Sequence, residues 1–354
     1  MHPFRKLLLI SLGRADSFEK TPSPGDWSLM FRMARQQTML GVLYDAVIRL
    51  PDGQQPSADI LGEWQSLTER ISEIHVRHER QTRELEGLLD RLGLHGCILK
   101  GTGLARFYPV PEHRTCGDID LWVRGTHDSI LKAFAAADIA THDILYQECK
   151  ADIFDDTVVE IHFHPTKMYN PWHNARLQRC LEACSPIRDD AALAWPDARF
   201  NAVFCMAHMF RHYLEGGLGM RQMMDYYFVL RKLDPEDRAP VMEDLRRMGM
   251  KRFTAAMMLS LQYNFGLEDE YLLCPPDREY GRRLVEDAIR LGNFGIRDAR
   301  NAAKAGETRL GRFLRKNKRV FSNLRYYPGE VLWSPFARVS QFVWRLVKGY
   351  LKDA

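Results

Sequence analysis

At 354 residues, 45% apolar and 27% charged, the chain is long enough to bury an ordinary core, which predicts a globular protein of two domains. Seven cysteines, at 97, 116, 149, 180, 184, 205 and 274, form an odd set with no CxxC pair; this argues against a disulfide framework or zinc ribbon and for a reducing, cytoplasmic setting. The net charge of +4 hides a division: Gly281 to Ala354 hold 17 Lys and Arg against 6 Asp and Glu, a surplus of 11, so the first 280 residues carry −7.

In chain order, the apolar run LLLISL, Leu7 to Leu12, is too short to span a bilayer and lacks a cleavage-site pattern. Neither a signal peptide nor a transmembrane helix is expected, only core packing. Met30, Met33, Leu40, Leu43 and Val47 stand near helical spacing and predict a helix over about 27–50, ended by PDGQQPS. A long charged helix follows over about 59–92, where Leu61, Trp64, Leu67, Ile71, Ile74 and Val76 alternate with Glu, Arg and Gln at three-to-four spacing, and it stops near Gly93. The texture then changes to short apolar runs, HGCILK, DIDLWV and TVVEIHF, which read as strands, with the helical HDSILKAFAAAD between the last two. Beyond Pro165 helices are expected near 199–215, 219–232, 235–248, 251–265 and 279–292. The fold class is therefore α+β: a small mixed sheet over 94–166, a helical segment over 1–93 before it, and a helical region with a basic tail over 167–354.

The strand DIDLWV places Asp118, Asp120 and Trp122 on one face and Ile119, Leu121 and Val123 on the other. Two carboxylates about 7 Å apart along a strand repel each other unless a cation lies between them. In TVVEIHF, Glu160 and His162 share a face, so pairing of the two strands would make Glu160 a third carboxylate, an oxygen set suited to Mg²⁺ or Mn²⁺. Upstream, Lys100, Gly101, Thr102 and Gly103 form a strand-to-helix turn whose backbone N–H groups and hydroxyl suit a phosphate. It is neither a P-loop nor a dinucleotide fingerprint.

LKGTGLARFYPVPEHRTCGDIDLWV followed by VVEIHFHP resembles a bacterial family of uncharacterised nucleotidyltransferases in the superfamily that includes polymerase β, with a weaker likeness in the G-x-R-x-x-x-D pattern of Gly219, Arg221 and Asp225. The resemblance implies that 94–166 is the catalytic core, that Gly101 and Thr102 hold a triphosphate, and that Asp118, Asp120 and Glu160 bind the catalytic metals. It also implies transfer of NMP from an NTP to an unidentified, non-polymer hydroxyl acceptor with release of pyrophosphate. Lys100, Arg114 and Arg221 are candidates to meet phosphate oxygens, by point charge or by guanidinium fork.

Other readings stand beside these. Arg221 and Asp225, at i and i+4, also fit a helix-surface pair. His162 and His164 could ligate zinc, but flanking a strand end they read first as hydrogen-bonded scaffolding, while His208 and His212 lack the glutamate of HExxH and read as structural or cleft-lining. In the tail, Phe336, Val339, Phe342, Val343, Leu346, Val347 and Tyr350 form an apolar stripe, expected to dock on the protein's own core, with an anionic membrane surface or a partner as the alternative. RLGRFLRKNKR carries no nucleic-acid recognition motif. A non-catalytic nucleotide-binding scaffold, an RNA-modifying transferase and a metal-dependent hydrolase are the competing functions.

Overall fold

The computed structural model describes residues 2–291 and 307–350. The apolar start of the chain is helix α1 (Pro3–Ser11), with Leu7, Leu8 and Ile10 buried. The helix expected over 27–50 is two helices, α2 (Pro24–Gln36) and α3 (Leu40–Val47), separated at Thr38, where φ is +55°. Tertiary bonds hold that break: Gln37 Nε2 donates to the Ala288 carbonyl at 2.9 Å, and its Oε1 accepts from Met220 N at 2.9 Å. No glycine or proline marks the spot, so periodicity alone runs through it. Helix α4 (Ala58–Leu92) ends at Gly93, which takes the left-handed φ of +61° that glycine adopts without penalty.

A six-stranded sheet follows. Its strands are β1 (Gly96–Ile98), β2 (Ile119–Val123), β3 (Thr141–His142), β4 (Glu148–Ala151), β5 (Val159–His162) and β6 (Leu193–Ala194), in the order β3-β4-β5-β2-β1-β6. Helix α5 (Thr102–Ala105) leaves β1, and α6 (His127–Ala136) leaves β2. Strand β2 runs antiparallel to β1 and parallel to β5, so the sheet is mixed, and Asp120 lies beside Glu160 in the ladder. The period-2 alternation splits the core in two. Ile119, Leu121, Val123, Val159 and Ile161 pack with Ile130 and Phe134 of α6 and with Leu85 and Leu89 of α4. Trp122, on the opposite face, joins the large helical core.

That second core joins α1, α2, α3 and Trp64 of α4 to α7 (Pro171–Ala183), α8 (Ala198–Glu215), α9 (Met220–Lys232), α10 (Pro235–Arg247), α11 (Lys251–Phe265) and α12 (Arg278–Leu291). The indole of Trp122 stacks on Phe200 of α8 at 5.8 Å, which sets α8 over the sheet face from which Asp120 projects. The chain closes with α13 (Arg309–Phe321), α14 (Pro328–Val331) and α15 (Ser334–Lys348). Residue 292 of the segment expected over 279–292, and the terminal LKDA, lie outside the described residues.

The expectation that the apolar stripe of α15 docks on the core does not hold. Phe336, Val339, Phe342, Val343, Leu346 and Val347 are all exposed, because the opposite side of the helix carries the residues with partners inside the protein. Among the described residues, no helix is long and apolar enough to cross a membrane.

Buried imidazoles weaken this fold as pH falls. Desolvation, and then Arg77 for His78 and Arg211 for His212, pushes both rings down to about 4. The unfolded chain takes up protons on these rings as pH falls through about 6.5, whereas the folded chain resists until about 4, so stability drops across that window. The loss is up to roughly 3 kcal/mol per ring. Thermal unfolding followed from pH 7.5 to 4 should show that slope, and His78→Gln should flatten it.

Candidate active site

The turn after β1 and the faces of β2, β5, α8 and α9 enclose a cleft of about 330 Å³, lined by Lys100, Gly101, Arg114, Asp118, Asp120, Glu160, His208, His212, Arg221 and Asp225, among others. Seven of the eight site residues expected from the sequence therefore meet here, although they come from segments more than a hundred residues apart. Thr102 is the eighth; it is buried at the start of α5 and is not among the lining residues.

Neighbouring strands lie about 4.8 Å apart, so the Asp120–Glu160 register brings those carboxylates side by side. His162, two residues on, shares their face: its Nε2 is 2.9 Å from Asp120 Oδ1 and 3.8 Å from Glu160 Oε2. Ligand atoms of Asp120, Glu160 and His162 lie within 4.8 Å of one another, the only such set of three acidic, histidine or cysteine side chains among the described residues. Sequence reasoning placed His162 on the right face but weighed it as scaffolding. Strand β4, whose sequence ECKA has little strand character, adds Glu148, with Oε2 3.6 Å from His162 Nδ1.

The charges of the cleft are unbalanced. Burial would raise the Asp120 carboxyl, but the Lys100 ammonium at 2.6 Å and the hydrogen bond from His162 hold it well below the usual carboxylate range. Lys100 is in turn raised, since Asp120, Asp118 and Glu160 outweigh its desolvation. Asp118 is raised by burial and then by Asp120. Glu160 is pushed up to about 7 by burial and then by Asp120, Glu148 and Asp118. A carboxyl driven that far marks burial joined to negative charge that one lysine does not compensate. Two carboxylates and an imidazole converging in such a field fit a divalent cation in both donor type and charge.

Arg114 sits differently from a free phosphate contact. Its Nε donates to Asp225 Oδ1 at 2.7 Å and its Nη2 to Oδ2 at 2.8 Å, a buried bidentate pair, while Nη1 donates to the Gly101 carbonyl at 3.0 Å. Tyr108 Oη donates to the same Asp225 oxygen at 2.6 Å. Asp225 thus takes Arg114 as its partner rather than forming a surface pair with Arg221. Through that strut α9 holds the Gly101 turn, where φ is +52°, ψ is −121°, and a Cβ would stand 3.4 Å from the Asp118 carbonyl. Two features of this strut are visible in the sequence only as isolated residues, because its partners are 111 positions apart.

Arg221 donates through Nη1 to the Thr115 carbonyl at 2.7 Å, and its buried Nε has no partner. Burial and then neighbouring Arg114 lower its pKa, so it is a guanidinium short of anions at the wall of the cleft. His208 and His212, whose Nε2 atoms are 2.9 Å apart, line the wall formed by α8, as one of the sequence readings allowed.

Residues 23–266 match the family described as uncharacterised nucleotidyltransferase, a span that includes every residue of this cleft and more than half of the chain. The chain belongs to that nucleotidyltransferase family. Neither the curated proteins nor the solved structures contain a match to it. Family membership implies a nucleotide substrate, and Asp120, Glu160 and His162 form a group able to hold a metal ion.

Proposed function

We propose that this protein transfers NMP from an NTP to the hydroxyl of a non-polymer acceptor, releasing pyrophosphate, with Mg²⁺ or Mn²⁺ as cofactor. The observation that carries the proposal is the meeting of Asp120, Glu160 and His162 with the Gly101 turn and an under-paired Arg221 in one cleft. Asp120, Glu160 and His162 would hold the cation, with Asp118 as the adjoining carboxylate. A divalent cation bound there supplies charge neutralisation at the transferring phosphoryl group and the departing oxygens.

The chain's own groups supply the rest. The Cβ-free backbone at Gly101 lets phosphate approach closely, and the Arg221 guanidinium gains the anion it lacks. Glu160 is the carboxylate placed to take the acceptor hydroxyl's proton as its oxygen attacks the α-phosphorus and the α–β P–O bond breaks. Lys100, on Asp120, is free to shift to a phosphate oxygen when a cation replaces it there.

Incubation with α-³²P-labelled ATP, GTP, CTP and UTP, Mg²⁺ or Mn²⁺ and a cell extract should place label on a small molecule, lipid or protein, and Asp120→Asn should place none. The Lys100–Asp120 contact favours one second reading: a lysine already standing in for the cation suits a nucleotide-binding scaffold. Tight NTP binding with no label from any nucleotide would select it.

A further inference from the structure

Helix α15 is docked by its polar side. Arg338 donates to the Tyr169 hydroxyl at 2.8 Å, Lys167 Nζ donates to Gln341 Oε1 at 2.7 Å, Trp344 packs against His127 and Tyr146, and Lys348 pairs with Asp128. The apolar stripe is left in water, 67% exposed at Phe336 and 79% at Val347. A helix serving only the fold would be turned the other way.

The exposed apolar surface continues beyond the helix. The Phe336 ring lies 5.8 Å from Trp333, whose ring meets that of Trp172 at 5.1 Å, and Trp172 is 62% exposed. On the adjoining α13, Leu310 and Leu314 are exposed as well. Tryptophans at the margin of an apolar strip suit the boundary between headgroups and acyl chains.

Charge identifies the occupant. Residues 307–350 contain ten Lys and Arg against two acids. Glu307 is bound to Arg315, Glu330 is buried and the neighbouring Asp128 is paired with Lys348, so residues 307–350 themselves present no exposed carboxylate, whereas Arg312, Lys316 and Lys318 are exposed. Two copies meeting face to face would bring like charges together; an anionic bilayer complements them. A helix of 15 residues is about 22 Å long, which suits lying in the interface.

We propose that α15, with Trp172 and Trp333, docks this protein on an anionic lipid bilayer, the stripe among the acyl chains and the basic residues of α13 against the headgroups. The proposal does not depend on the chemistry assigned to the cleft.

The test is co-sedimentation of the full chain with vesicles of phosphatidylcholine alone or with about a third phosphatidylglycerol. The chain should partition into the anionic vesicles at least about tenfold better, and less well as salt rises. Phe342→Asp with Leu346→Asp should abolish partitioning without moving the unfolding temperature, since both side chains are already in water; Phe342→Ser with Leu346→Ser gives the same reading if the aspartates disturb the helix. Arg312→Ser with Lys318→Ser should weaken binding to the anionic vesicles only. Equal sedimentation of the stripe variants and the natural chain would overturn the proposal. So would a dimer, seen by light scattering, that the stripe variants dissolve and vesicles do not.

Discussion

Asp120→Asn should lower nucleotidyl transfer by about a thousandfold or more and leave the fold standing. The size follows from position: the residue is buried, and its oxygens face both the group for the cation and Lys100. Removing a preorganised charge at the reacting centre costs several kcal/mol of transition-state stabilisation. Stability should suffer less than the roughly 3–5 kcal/mol typical of a buried ion pair robbed of one partner, because Asp118 and Glu160 remain beside Lys100.

The same variant offers a readout that does not depend on knowing the acceptor. A cation that binds only the folded chain stabilises it by about 2.7 kcal/mol at a hundredfold excess over its dissociation constant. The natural chain should therefore melt at a higher temperature with Mn²⁺, and Asp120→Asn should not. An equal rise in both would remove Asp120 from the ligand set. Glu160→Gln should behave like Asp120→Asn in this assay, since the two carboxylates face the same point from paired positions of β2 and β5.

What the sequence showed and what it concealed divide along physical lines. Helix α4, expected over 59–92 and found over 58–92, was legible because its packing face recurs every three to four residues and a glycine ends it. Strand β2 was legible because its residues alternate strictly, Ile119, Leu121 and Val123 into one core and Asp120 and Trp122 to the opposite face. Strand β4 was not: ECKA lacks β-branched and aromatic residues, and only its pairing with β5 makes it a strand. The break at Thr38 depends on what Gln37 bonds to across the fold. The carboxylates of the cleft could be read because strand periodicity is local, while the role of Arg114 could not. Beside GDIDL it looks like a phosphate ligand, and only the arrival of α9 shows where its guanidinium goes. The orientation of α15 failed for a related reason: an amphipathic pattern gives two faces, and the interior had already recruited the polar one through Tyr169 and Lys167.

The Arg114–Asp225 strut yields the largest expected change in stability. With Arg114 and Asp225 only 3% and 5% exposed, Asp225→Ala leaves a buried guanidinium and the Tyr108 hydroxyl without their acceptor. That should cost about 3–5 kcal/mol and lower the melting temperature by on the order of 10 °C. Replacing both partners, Arg114→Met with Asp225→Leu, removes the orphaned charge and should recover most of the loss, a coupling that a double-mutant cycle in thermal unfolding would measure. Activity should not recover with it. Arg114 Nη1 also holds the Gly101 carbonyl, so the apolar pair restores packing between α9 and the turn but leaves the phosphate seat without its anchor. Stability regained with transfer still depressed would make Arg114 a positioning residue for that turn. Recovery of both together would mean that the turn needs only the packing of α9 behind it, and that the guanidinium contributes nothing to the site beyond the fold.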